Sequence, residues 1–136
     1  MDIRKLIPQR EPMLMADDYE PTGDATAVTT FRVRADNVFV EDALLAEAAV
    51  IEHQAQSASA MAGKRAIDNG ASTAPKGYIG EVRHFQCRER PRVGDTLRTE
   101  VVWGATVGQF AFVKATTSVG GRTVANGELK VYIEGA

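Results

Sequence analysis

The order of its segments predicts that this 136-residue chain adopts an α+β fold, with one antiparallel sheet wrapped around one long helix. Three observations carry the prediction. A proline-free run over residues 43–66 is built from strong helix formers. Beyond residue 77 the chain is extended in character and divided by glycine turns. A short hairpin precedes the helix. Strands grouped before and after a single helix, instead of alternating with helices, belong to an α+β architecture.

Element by element, Asp2 is placed to cap a short first helix ending near Leu6, because Pro8 and Pro12 stop it. Residues 9–12 then read as a loop. Extended segments follow over residues 13–19 and 25–34, joined by a turn at Pro21-Thr22-Gly23-Asp24, with Val28, Phe31 and Val33 directed inward. Glu41 and Asp42 stand at the start of the helical run, where a negative charge complements the helix dipole. The run alternates alanine with serine and leaves little bulk on any face, so something must pack very close to it. Residues 67–76, with Asn69-Gly70 and Pro75, form a loop. Four strands complete the chain, over residues 77–90, 96–107, 109–119 and 122–133, with Gly94, Gly108 and Gly120-Gly121 at the turns.

Composition narrows the function classes. A chain of 14.7 kDa with 44% hydrophobic and 25% charged residues and a formal charge of -2 reads as one soluble domain spanning residues 1–136. Its one local basic cluster, Arg83, Arg88, Arg90 and Arg92, is interrupted by Glu81 and Glu89 and does not make a nucleic-acid track. It reads as a solvated strand and turn, or as a docking patch for an acidic carrier protein. Cys87 is the only cysteine, which excludes an internal disulfide and a thiolate metal site and fits a reducing, cytoplasmic setting. The most apolar segment, residues 43–51, is too short to span a bilayer. Neither a metal nor another cofactor is implied.

The residues that could do chemistry lie in the helix. Glu52 and Gln56, four apart, share a face whose neighbours are mostly small and apolar. A glutamate there acts as a general acid if burial keeps it protonated, or is a structural carboxylate satisfied by Gln56. His53 is adjacent. Successive helix residues point about 100° apart, so His53 is either a base beside Glu52 or a satisfied structural histidine facing the sheet. His84 precedes Phe85 in a strand and, by alternation, is exposed and uninvolved.

Two stretches are similar to a known family: Leu6-Ile7-Pro8-Gln9-Arg10-Glu11-Pro12-Met13-Leu14-Met15, and Glu52-His53-Gln54-Ala55-Gln56. With Gly80, Phe85, Pro91 and Gly94-Asp95 downstream, the chain resembles the hot-dog fold dehydratases that remove water from 3-hydroxyacyl chains on acyl carrier protein. The resemblance implies a lyase of fatty-acid or polyene-type synthesis whose ligand is a thioester of acyl carrier protein or coenzyme A. It implies a homodimer, or a heterodimer with a related hot-dog subunit, in which each site draws on both protomers.

In site terms, the resemblance makes Glu52 the acid and Gln56 its support; the usual Pro-Gly pair is either replaced by Ala48 and Ala49, which still offer backbone N–H groups, or lies outside the matching register. It makes Phe39, Val40, Phe110 and Phe112 linings for the acyl chain. The family's basic histidine corresponds to Gln9, an amide that takes up no proton at neutral pH, which leaves His53 as the replacement base. Two rivals follow from that departure. One is a catalytically depleted subunit that pairs with an active dehydratase; the other is a hot-dog thioesterase.

Overall fold

Asp2 caps the first turn as its position suggests: its Oδ1 accepts the Arg4 N–H at 3.0 Å and starts a single 3-10 turn, Ile3–Lys5. The computed structural model describes residues 1–74 and 77–133; Pro75 and Lys76 of the expected loop, and the last three residues of the expected domain, lie outside them. The strands are β1 (Asp18–Pro21), β2 (Thr26–Arg32), β3 (Val40–Glu41), β4 (Leu44–Leu45), β5 (Gly77–Cys87), β6 (Thr96–Val107), β7 (Phe110–Val119) and β8 (Arg122–Ile133), with one long helix, α1 (Glu47–Asp68), between β4 and β5. Six strands form one antiparallel sheet in the order β1-β2-β6-β7-β8-β5, which puts β5 at an edge.

The helix begins four residues later than residue 43. Asp42 and Ala43 adopt left-handed φ values of 55° and 64° and turn β3 back onto β4, pairing Val40 with Leu45 and Glu41 with Leu44. Residues 43–46 look helical by propensity, but a two-residue turn of this hand is what a tight hairpin demands. Residues 13–17 likewise stay outside the sheet, which β1 enters only at Asp18. Phe31 and Val33 are buried in the core as expected; Val28 is buried too, but alternation puts it on the face opposite Thr29 and Phe31, and it joins neither core cluster.

From Ala49 to Gly63 every residue of α1 except Ile51 and Glu52 is buried. A helix enclosed on nearly all sides needs small residues where backbone approaches it. At Gly63, a Cβ would stand 2.5 Å from the Leu6 carbonyl oxygen. At Gly127 of β8, a Cβ would stand 2.7 Å from Gln54 Oε1. The core divides into two clusters: one joins the first turn, Met61, Val101, Leu129 and Val131, and the other joins Met15, Phe31, Leu45, Val50, Leu97 and Val124.

Candidate functional site

The sheet presents a row of three threonines to the helix. Thr29, Thr99 and Thr117 are register partners across β2, β6 and β7, and all are fully buried. Buried hydroxyls are costly without partners, and α1 supplies one for each. Thr29 meets Ser57 at 2.6 Å, Thr99 meets His53 Nε2 at 2.7 Å, and Thr117 meets Gln54 Nε2 at 2.9 Å. Thr99 and Thr117 are also bonded to each other at 2.6 Å.

These bonds run in one direction. The Met15 carbonyl can only accept, so His53 Nδ1 carries the hydrogen and donates to it at 2.6 Å. In the neutral ring Nε2 then accepts from the Thr99 hydroxyl, Thr99 accepts from Thr117, and Thr117 accepts from the Gln54 amide. Ser57 donates to the His53 carbonyl at 2.7 Å, which makes Thr29 the donor to Ser57. Burial is the main reason that the His53 pKa falls to about 4; the Met15 carbonyl and the nearby Asp17 charge pull the other way. Phe31 stacks on the ring with centroids 5.8 Å apart. His53 therefore occupies the core with both nitrogens engaged, the arrangement of a satisfied structural histidine and not of a solvent-facing base beside Glu52.

Glu52, one position earlier, is half-buried. Gln56 holds it: the amide Nε2 donates to Glu52 Oε1 at 2.9 Å and to the Met13 carbonyl at 2.7 Å, while its Oε1 accepts the Met15 N–H at 2.6 Å. Both amide hydrogens and the amide oxygen are used, which fixes the amide's orientation. The structure thus brings Glu52 and Gln56 together with the backbone of residues 13–15. The backbone partners Met13 and Met15 have no side-chain signature and were missed in sequence. Thr99 was findable, because Leu97, Thr99 and Val101 alternate on one strand face.

The remaining predicted residues are spread along the same region. Ala48 and Ala49 are the second and third residues of α1, Ala48 exposed and Ala49 buried. Ala46, the N-cap, supplies no side-chain hydrogen bond. Phe39 and Val40 are half-buried against the second core cluster. Phe110 lies apart, beside Tyr132 and under Lys130 at 4.2 Å; Phe112 is half-buried in the same strand. His84 is exposed, at a bulge in β5 with φ 53°. The Gln9 loop is braced by Arg10, which donates to the carbonyls of Arg4, Ile7 and Gln9, and Gln9 Oε1 is enclosed with no hydrogen-bond partner among the described residues. A pocket of about 500 Å³ lies between this loop and the end of α1, lined by Ile7, Pro8, Ile67 and Thr73 among others; Glu52 does not line it.

Among the described residues, no group of three or more His, Cys, Asp or Glu side chains is placed to hold a metal ion. No helix among them is long and apolar enough to cross a membrane.

A profile of the ApeP-like family, described as ApeP dehydratase, matches residues 1–134. The chain belongs to the ApeP-like dehydratase family. Among solved structures, this ApeP-like chain is similar to the dehydratase heterocomplex ApeI:P from Xenorhabdus doucetiae, at 17% identity and a TM-score of 0.88 over 98% of this chain and 91% of that one. It is similar to a hypothetical thioesterase with coenzyme A from Streptococcus pneumoniae TIGR4, at 13% identity and a TM-score of 0.66 over 87% of each chain. The PaaI protein of the phenylacetic acid degradation operon of E. coli gives 14% identity and a TM-score of 0.66 over 85% of this chain and 81% of that one. These likenesses establish the hot-dog fold for the ApeP-like chain. A search of curated protein sequences found no match to it.

Proposed function

We propose that this chain supplies the acid half of a dehydratase site for 3-hydroxyacyl thioesters, and that a related hot-dog subunit supplies the base. Dehydration removes a proton from the carbon next to the thioester carbonyl and expels the 3-hydroxyl as water, leaving a double bond between the two carbons. It needs a base at the first carbon, an acid at the hydroxyl, and donors for the charge that develops on the carbonyl oxygen. The observation that carries the reading is the Gln56 grip on Glu52. Gln56 engages Oε1, so the proton given to the departing hydroxyl travels on Oε2.

The base is what this chain lacks. Gln9 stands at the family's histidine position, and His53 has both nitrogens committed inside the core. Gln9 keeps a hydrogen-bonding role: its enclosed Oε1 is matched to a donor from substrate or partner. The N–H groups at the start of α1, around Ala48, suit the thioester oxygen. The heterocomplex in which the similar dehydratase was solved supports a two-subunit arrangement, and the edge strand β5 is where a second sheet would continue this one. Phe39 and Val40 are placed for the acyl chain, whose carrier is acyl carrier protein or coenzyme A.

Complementation tests the reading. The chain is mixed with a hot-dog dehydratase that keeps its histidine but has lost its glutamate, and hydration of a short trans-2-enoyl thioester is followed together with thiol release. Recovered hydration that disappears with Glu52→Gln is the expected result. Gln9→His in this chain alone should also gain hydration. Thiol release without hydration would instead make it a thioesterase, and no hydration from either the mixture or Gln9→His would overturn the assignment.

A further inference from the structure

We infer that His53 is a positioning residue, one that acts through Met15 to set the position of the Gln56 amide and hence the place of the Glu52 carboxylate. This rests on the reading of Glu52 as the acid.

Residues 13–15 carry the argument. Lying outside the sheet, they bond to helix side chains through the Met13 carbonyl and both peptide groups of Met15, while the Met13 N–H closes a turn on the Arg10 carbonyl. The Met15 residue is gripped twice, its carbonyl by His53 Nδ1 at 2.6 Å and its N–H by Gln56 Oε1 at 2.6 Å. The two gripping side chains are three residues apart and so share a face of α1. Of the two, His53 is the better anchored. Its other nitrogen is bonded to Thr99 in β6, and its ring stacks on Phe31 of β2. Among the described residues, Gln56 is bonded to Met13, Met15 and Glu52 and not to the sheet.

The amide of Gln56 could in principle sit either way round. Three contacts select one orientation: the Met15 N–H needs Oε1, and the Met13 carbonyl and Glu52 Oε1 need the NH₂. Were Met15 to shift, the amide would keep its orientation but follow the Met15 N–H or lose it, and its NH₂ would carry the Glu52 carboxylate with it. His53 prevents the shift. It bonds the same residue on the opposite side of the α-carbon, so that two side chains of α1 hold Met15 from either side.

Two substitutions separate this role from a general contribution to the core. In His53→Asn the side-chain amide nitrogen can stand where Nδ1 stands, keeping the bond to Met15 and giving up Thr99. In His53→Gln the longer side chain reaches the position of Nε2, keeping Thr99 and giving up Met15. The Met15 amide is followed by hydrogen exchange and the Gln56 side-chain NH₂ by NMR, both in the chain without substrate; kcat and KM come from the enoyl hydration assay above. His53→Gln is expected to speed Met15 exchange about tenfold or more, to move the Gln56 NH₂ signals, and to lower kcat about tenfold with KM within about twofold. His53→Asn is expected to keep all four readouts close to wild type.

Wild-type Met15 exchange and Gln56 signals in His53→Gln would overturn the inference. So would equal losses in both variants that track their loss of stability. If neither variant folds, Thr99→Val, which leaves the Met15 bond intact, must leave the Gln56 signals unchanged, and a change there would overturn it too. Exchange and NMR need no turnover, so failure of the positioning role is distinguishable from failure of the dehydratase reading.

Discussion

Gln56 Nε2 lies 2.9 Å from Glu52 Oε1, and the same amide spans the gap from α1 to the backbone of Met13 and Met15. Replacing it separates stability from chemistry. Gln56→Leu leaves the buried Met15 N–H without an acceptor, at a cost of about 1–3 kcal/mol, and the loss at Met13, an exposed residue, adds less. Glu52→Gln keeps an oxygen for Gln56 to bond and should unfold within about 0.5 kcal/mol of wild type. Denaturant unfolding of the two variants checks the contrast. Both should lose enoyl hydration in the complementation assay.

A second prediction concerns acid. The folded His53 titrates near 4, and its ordinary value is 6.5. Between those values the unfolded chain binds a proton that the folded chain does not, so stability falls as pH drops through this window and levels off below it. The whole effect is of the order of 3 kcal/mol. The physical cause extends beyond burial. A proton on Nε2 makes Thr99 the donor to Thr117, which then accepts from both Thr99 and the Gln54 amide and is left with its own hydrogen unspent on either. Asp17 is the charged group that opposes the shift. Chemical denaturation at pH 7.5 and pH 4.5 should show the loss in wild type and a smaller one in His53→Asn.

Much of this arrangement was legible in the sequence because it repeats with a simple period. The i, i+4 spacing found the Glu52–Gln56 pair, and extended runs between proline and glycine turns found the strands of the six-stranded sheet. Two kinds of feature were not legible. The first is a turn whose residues do not advertise it: Ala43 sits at φ 64° without being glycine or asparagine, so an apolar run containing Leu44 and Leu45 passes for helix. The second is a partner that acts through its backbone. Nothing in the letters of Met13 or Met15 shows that their peptide groups complete the Gln56 grip. The direction of His53 followed from the near-100° step only as a choice between faces, and the threonine row on the sheet decides it.

A third prediction uses the closeness of the first turn to the helix. At Gly63 an added Cβ would meet the Leu6 carbonyl oxygen at 2.5 Å and the Ala74 Cβ at 3.1 Å. The first neighbour is backbone and cannot rotate away. Gly63→Ala should therefore push the turn Ile3–Lys5 off α1 and cost about 1–3 kcal/mol, despite alanine's better helix propensity. Exchange of the Leu6 and Ile7 amides would rise with it. A neutral or stabilised variant would mean that the first turn yields without loss.

The last prediction sets stability against activity at the start of α1. Ala46 has φ -64° and ψ 148°, the extended geometry of an N-cap, but its side chain caps nothing. Its own N–H is spent on the Phe39 carbonyl at 2.9 Å, and its carbonyl already accepts from Ala49 at 3.0 Å. Ala46→Ser adds an oxygen where an N-cap acceptor belongs, within reach of first-turn N–H groups such as that of Ala48, and should stabilise the chain by about 0.5–2 kcal/mol. If those N–H groups steady the thioester oxygen, the serine competes with the substrate for them, and hydration should fall while the unfolding midpoint rises. Opposite signs from one substitution are hard to obtain from a structural effect alone. Activity that rises with stability would place the thioester carbonyl away from this helix end.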